Sequence, residues 1–385
     1  MSAAQIEIQL IAVVVAIACA LPGVFLVLRR MALLSDAISH SILLGIVLGF
    51  LIVGNLSSPL LIIGAALIGI ATVVLVELLN GTGLVREDAA IGLVFPVLFS
   101  IGVILIARKA GNVHLDTDAV LLGELAFAPF DRVTIFGADI GPTSLILMLG
   151  VLIVNVAFIL IFYKELKLAT FDAALATALG FSPMILHYSL MLIVSLTCVT
   201  AFNAVGSILV VALMIAPPAA AYLWTDRLDR MLGLSALIGA LSAVTGYWLA
   251  HVLDASIAGA MAAMCGVFFG ASLLFAPSHG VVAKWRRHRR QQWEFSLALL
   301  LIHIYTHEDS PAAAYENRRE HLTEHIRWSE TFAERIVQRA LEGGLLELRN
   351  GQMNLTETGR QFAKRAIVDL PQPVVPEVHS QVATI

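Results

Sequence analysis

The sequence predicts an all-α polytopic membrane protein of about nine transmembrane helices, with eight to ten allowed if one is re-entrant, followed by a small cytoplasmic α+β domain. Three observations predict this: the composition, the spacing of the apolar runs and an uneven charge. Of 385 residues, 59% are hydrophobic and 14% charged, whereas soluble domains carry about 25% charged residues. Residues 1–283 hold 10 of the 24 Lys and Arg, and residues 284–385 hold the other 14. The chain therefore divides into a transmembrane domain, 1–283, and a cytoplasmic domain, 284–370. Residues 371–385, with Pro371, Pro373 and Pro376, read as a disordered tail.

A helix needs about 20 apolar residues to cross the hydrocarbon core. Such runs are Ile8–Leu28, Leu33–Val53, Pro59–Leu79, Ala89–Ala107 and Ser144–Tyr163, then Met231–Leu253 and Ala255–Pro277. Met184–Leu223 contains no Asp, Glu, Lys or Arg. As one helix it would be about 60 Å long, roughly twice the core thickness, so it reads as two spans turning near Asn203–Ser207, at an external turn. Gly45, Gly49, Gly64 and Gly69 permit close helix approach. Pro96, Pro217 and Pro218 predict kinks. The first run has no preceding Lys or Arg, unlike a cleaved signal peptide, and reads as a retained span.

Positive charge orients the spans. Arg29/Arg30, Arg86, Lys164/Lys167, Arg227/Arg230 and the cluster Lys284–Arg290 fall in alternate connections. The opposite connections hold only Arg108, Lys109 and Arg132. This puts the N-terminus outside and the C-terminal tail in the cytoplasm. Cys19, Cys198 and Cys265 lie in apolar runs without a CxxC pair, which argues against a disulfide framework or a zinc knuckle.

Asp36 and His40 are the most informative polar residues. They stand at i and i+4 of one span, in Ser35-Asp36-Ala37-Ile38-Ser39-His40-Ser41, and so share a helix face. Ionisable groups inside a span are costly and face a cavity or a partner. A carboxylate and an imidazole form half a site for manganese, iron or zinc. An Asp–His hydrogen bond pinning two helices is the competing reading. Glu77, His187, Asn203, Ser207, His251 and Asp254 lie near span ends and are weaker candidates. Asp116, Asp118 and Glu124 read as parts of a solvated loop. The chain has no phosphate-binding G-x-x-x-x-G-K-[ST] loop, so ATP-driven transport would need a separate ATPase. No nucleophile–base pair suggests an enzyme.

The run Arg30-Met31-Ala32-Leu33-Leu34-Ser35-Asp36-Ala37-Ile38-Ser39-His40-Ser41 resembles the "RRMALLGDALSHS" signature of the zinc/manganese/iron permease family of ABC importers. Ser35 replaces the usual Gly, and Leu44 stands where Pro is expected before Gly45. Three further segments resemble family motifs in order: Glu87–Gly92, Phe171–Gly180 and Ala204–Leu213, the last followed by Ala216-Pro217-Pro218-Ala219-Ala220. The resemblance spans roughly residues 7–277. It implies a membrane permease in the bacterial inner membrane that imports a divalent metal, manganese, zinc or iron, by alternating access; the resemblance of the tail to iron- and manganese-dependent repressors, described below, favours manganese. The implied partners are ATP-binding-cassette ATPase subunits, an extracytoplasmic metal-binding lipoprotein, and a second copy or a paralogous permease. The implied metal contacts are Asp36 and His40. The implied coupling helix to the ATPase is Phe171–Gly180, including Phe171, Asp172, Ala176 and Gly180. The metal is cargo, and no permanently bound cofactor is expected.

In the tail, Thr331–Glu342 has a helical apolar pattern ended by Gly343-Gly344. Leu345–Arg349 and Gln352–Leu355 flank Asn350-Gly351, a hairpin signal, and a helix follows from Thr356. This order resembles the winged helix of iron- and manganese-dependent repressors. From residue 284 on there are 14 Lys and Arg against 13 Asp and Glu, a poor footprint for nucleic acid. Protein contact or regulation fits better. His303/His307 and His321/His325 are each spaced i, i+4 and are candidate metal-sensing pairs, with solvated helix faces as the alternative. Two other functions compete with the permease. A secondary metal transporter would work without ATP. A membrane-tethered metal-responsive regulator would bind DNA through its tail and ignore loss of Asp36 or His40.

Overall fold

The computed structural model describes residues 2–54, 58–109, 125–135, 138–311, 315, 317–318, 322, 328–349 and 351–369. The chain forms two compact units, Met1–Ala283 and Lys284–Ile385.

The first unit is a helical bundle. It contains α1 (Ala3–Leu28), α2 (Ala32–Val53), α3 (Pro59–Gly81) and α4 (Glu87–Lys109). A hairpin follows, β1 (Arg132–Ile135) and β2 (Ala138–Pro142). Then come α5 (Thr143–Ile161), α6 (Tyr163–Phe171), α7 (Ala173–Ala178), α8 (Pro183–Trp224), α9 (Leu228–Leu253) and α10 (Ile257–Phe275). Among the described residues, 8 helices are long and apolar enough to cross a membrane: α1 to α5 and α8 to α10, without α6 and α7. Helix α1 starts earlier than its apolar run because Ser2 and Gln5 cap each other reciprocally.

Helix α8 has 42 residues, but Gly206 breaks it with φ 76° and ψ 167°. That conformation is open to glycine and strained for other residues. The chain reverses there: Cys198 Sγ lies 3.8 Å from Met214 Sδ, 16 residues away. In a continuous helix the two would stand about 24 Å apart. The reversal gives two arms of roughly 30 Å, each long enough to span, so the described helices make nine passes, with α8 counted twice. The break falls inside the expected Asn203–Ser207, yet this is no solvated turn. Ala204, Val205, Gly206 and Ser207 are buried, and only Asn203 is exposed.

The two arms occupy the centre of the bundle and pack on α1, α2, α3, α5, α9 and α10. Gly23 of α1 lets this packing close, since a Cβ there would lie 2.1 Å from the Met214 carbonyl oxygen. Pro218, four residues on, offers that carbonyl no N–H. Several buried polar groups are paired across helices. Asn155 of α5 donates to the Ala18 carbonyl at 2.9 Å and to Thr197 Oγ1 at 3.0 Å. Thr72 of α3 donates to Ser41 of α2 at 2.7 Å. The β1–β2 hairpin is tied to the start of α1 by Arg132. Its guanidinium contacts Glu7 at 3.1 Å and Asp139 at 2.5 Å, and these carboxylates raise its pKa further.

The second unit contains α11 (Val281–His307, beginning at the end of the first unit), α12 (Glu330–Glu342), β3 (Leu346–Arg349), β4 (Gln352–Leu355) and α13 (Glu357–Asp369). The strands pair antiparallel, Leu346 opposite Leu355 and Arg349 opposite Gln352, with Gly351 at φ 80° in the connection. Leu300, Ile304, Ile336, Val337 and Met353 form the centre of a separate apolar core. Thr356 caps α13 through the Gly359 N–H. Glu308 pairs with Arg360 and raises its pKa. Residues 371–385 lie outside the described residues.

The reversal of α8 has a direct test. In a chain with Cys19 and Cys265 replaced by Ser, Met214→Cys should form an intramolecular disulfide with Cys198 on mild oxidation. Mass-tagging of free thiols reads the result. A continuous α8 would leave both thiols free.

Candidate functional site

Asp36 and His40 sit in the second and third turns of α2. Asp36 Oδ1 is 3.4 Å from His40 Nε2, as their i, i+4 spacing requires. The serines between and beside them do different work. Ser35, Ser39 and Ser41 are buried and return their hydroxyls to the carbonyls of Ala32, Ser35 and Ile38. They therefore satisfy themselves inside the bundle. Asp36 and His40 face the other way, with side chains 41% and 32% exposed. The imidazole packs on α4, with ring centroids 5.7 Å from Phe95 and 6.2 Å from Phe99. The pair thus lies at the bundle surface rather than in an enclosed chamber. It offers carboxylate oxygen and imidazole nitrogen, both suited to manganese, iron and zinc. Among the described residues, no group of three or more His, Cys, Asp or Glu comes together.

The segment Phe171–Gly180 is not one helix. Helix α6 ends at Phe171, and Asp172 is extended. Its Oδ1 accepts from the Leu175 N–H at 2.8 Å and caps the six-residue α7. Ala176 is fully buried and anchors α7, while Gly180 at φ 87° ends it. Phe171, Leu175, Leu179 and Phe181 remain exposed, leaving an apolar face on a short connection between two spans.

The weaker candidates Glu77 and His187 prove to be partners. His187 Nε2 lies 2.5 Å from Glu77 Oε1, and Tyr188 donates to Glu77 Oε2 at 2.5 Å. Arg29 reaches the same cluster, with Nη1 3.3 Å from His187 Nδ1, and its Nε donates to Thr170 Oγ1 at 3.2 Å. A cavity of about 370 Å3 adjoins these groups. Their contacts bridge as many as 158 residues of sequence, and no local pattern announces them. In the second unit the rings of His303 and His307 have centroids 4.8 Å apart and are tilted by 57°. His321 and His325 lie outside the described residues, as do Asp116, Asp118 and Glu124.

Residues 4–276 match the model of the ABC 3 transport family. The chain is 50% identical over 358 residues to the zinc transport system membrane protein TroD of Treponema pallidum, covering 93% of this chain and 97% of that protein. It is 52% identical over 282 residues to the manganese transport system membrane protein MntD of Bacillus subtilis, covering 73% of this chain and 95% of that protein. MntD is thus too short to hold a second unit of this size, whereas the match to TroD extends into it. Among solved structures, PsaBC from Streptococcus pneumoniae in complex with Fab superposes with a TM-score of 0.61 at 30% identity, over 72% of this chain and 94% of that one. With most of its first unit covered by the family model and close relatives aligned over nearly their whole length, the chain belongs to the ABC 3 transport family.

Proposed function

We propose that the chain is the membrane permease subunit of an ATP-binding-cassette importer that moves a divalent transition metal, manganese first and zinc or iron alternatively, into the cytoplasm by alternating access. The observation that carries this reading is the Asp36–His40 pair. Two metal-binding donors 3.4 Å apart stand on a transmembrane helix face that the chain leaves partly open. Ionisable groups inside a span are costly and usually face a cavity or a partner, so such a face calls for a polar partner. A second copy, or a paralogous permease, packed across a two-fold axis would oppose an equivalent pair to this one. The metal would then be held between two half-sites and released when the subunits move.

The names of the relatives support the cargo: zinc for TroD and manganese for MntD. Without a phosphate-binding loop, the chain relies on separate ATPase subunits, which would dock on the exposed apolar face of α6–α7. An extracytoplasmic metal-binding lipoprotein would deliver the metal at the opposite face. Nine passes and the alternating basic connections support an N-terminus outside and a cytoplasmic second unit. That unit has the helix–hairpin–helix order of a winged helix, and we assign it a regulatory, protein-binding role.

The test is metal uptake by the reconstituted importer. Asp36→Ala and His40→Ala should each lower ATP-dependent manganese uptake at least about tenfold, the loss already typical of groups that merely orient a ligand. Uptake that survives without ATP or the ATPase would instead make the chain a secondary transporter. Asp172→Ala removes the cap of α7 and should cost about 1 kcal/mol of local stability. The check is hydrogen exchange, with the Leu175 amide exchanging several-fold faster.

A further inference from the structure

We propose that Arg29 is the positioning residue that links the ATPase-docking segment to the Asp36–His40 pair. This rests on the reading of α6–α7 as that segment. Arg29 caps the C-terminus of α1, with its N–H donating to the Phe25 carbonyl at 3.0 Å. Its guanidinium takes hold of two other elements at once. The Nε holds Thr170, one residue before the end of α6 and two before the Asp172 cap of α7. The Nη1 holds His187 at the start of α8, and His187 in turn meets Glu77 of α3.

The connection from Arg29 to the metal pair is short and stiff. Arg30 adopts φ 63°, a left-handed conformation costly for a residue with a Cβ. The Met31 N–H returns to the Leu26 carbonyl at 2.9 Å. Helix α2 starts at Ala32, and Asp36 follows about one turn later. A displacement of α6 is therefore carried by Thr170 to Arg29, through a closed turn, and into the helix that holds both metal donors. The path crosses no long loop.

The alternative use of this cluster is a second metal site, because Glu77 and His187 repeat the carboxylate–imidazole chemistry of Asp36 and His40. The hydrogen bonding argues against it. A guanidinium can only donate, so His187 Nδ1 accepts from Arg29 and the proton of the neutral ring sits on Nε2. Nε2 lies beside Glu77 Oε1, and the other oxygen of that carboxylate already accepts from Tyr188. Arg29 and Glu77 balance in charge through the imidazole between them. The ring has no free lone pair for a cation while Arg29 is in place.

The experiment uses the complete importer, with its ATPase and binding protein, in proteoliposomes. It measures ATP hydrolysed per Mn2+ imported. Thr170→Val keeps the shape of the half-buried side chain and removes the acceptor of Arg29 Nε. Arg29→Lys keeps the charge but cannot span Thr170 and His187 together. Both should raise ATP consumed per Mn2+ on the order of tenfold, the factor expected for one lost hydrogen bond to a charged group. The KM for Mn2+ should stay unchanged. Thr170→Ser, which restores the hydroxyl, should return the ratio to that of the parent chain. An unchanged ratio in Thr170→Val overturns the proposal, and so does a Thr170→Ser chain as uncoupled as Thr170→Val. A parent chain without ATP-dependent Mn2+ import would instead overturn the permease reading itself.

Discussion

In a medium without water, a backbone that leaves the helix must be sheltered by the protein itself. The reversal at Gly206 meets that constraint inside the bundle, and the rest of the first unit is arranged around it. Only a residue without a Cβ accepts φ 76° at no cost, and the residues on either side are buried against neighbouring helices. Because the chain turns here, two arms rather than one occupy the middle of the bundle. Six other helices pack on them. The arms place Thr197 where Asn155 can reach it, and His187 beside Glu77.

The polar groups fall into two kinds. Ser35, Ser39, Ser41, Thr72, Asn155 and Thr197 are paired within the bundle and hold helices together. Asp36 and His40 are only half satisfied, by each other and by the rings of Phe95 and Phe99. A structural polar network would be closed, since an unpaired buried polar group costs more than a hydrogen bond returns. On the proposed pairing, a second subunit would complete the environment of this half-open pair.

Much of this was legible in the sequence because it is local. Span length, the i, i+4 spacing of Asp36 and His40, the excess length of Met184–Leu223 and the Asn350-Gly351 hairpin signal all depend on neighbours in the chain. What escaped depends on contacts across the fold. Arg29 reads as a topology charge, and its attachment to Thr170 and His187 joins residues more than a hundred positions apart. The β1–β2 hairpin is short, and the contact of Arg132 with Glu7 places it. The turn at Asn203–Ser207 was found by length alone, but its burial was not, because polar residues at a reversal look the same in water and inside a bundle. The direction in which Asp36 faces was hidden for a related reason. A helix of uniform hydrophobicity shows no preferred side, whereas the buried serines reveal one.

The partial exposure of Asp36 and His40 also bears on how cells make this protein. On the proposed pairing, a freshly inserted chain without its partner presents a carboxylate and an imidazole toward acyl chains. Ionisable groups inside a span are costly, and the 5–15 kcal/mol or so that holds a typical protein together leaves little margin. Folding of the single chain would then leave it marginal, and association would supply the missing stability. Orphan subunits would be the natural prey of membrane proteases, so that turnover itself keeps the subunits in stoichiometric balance.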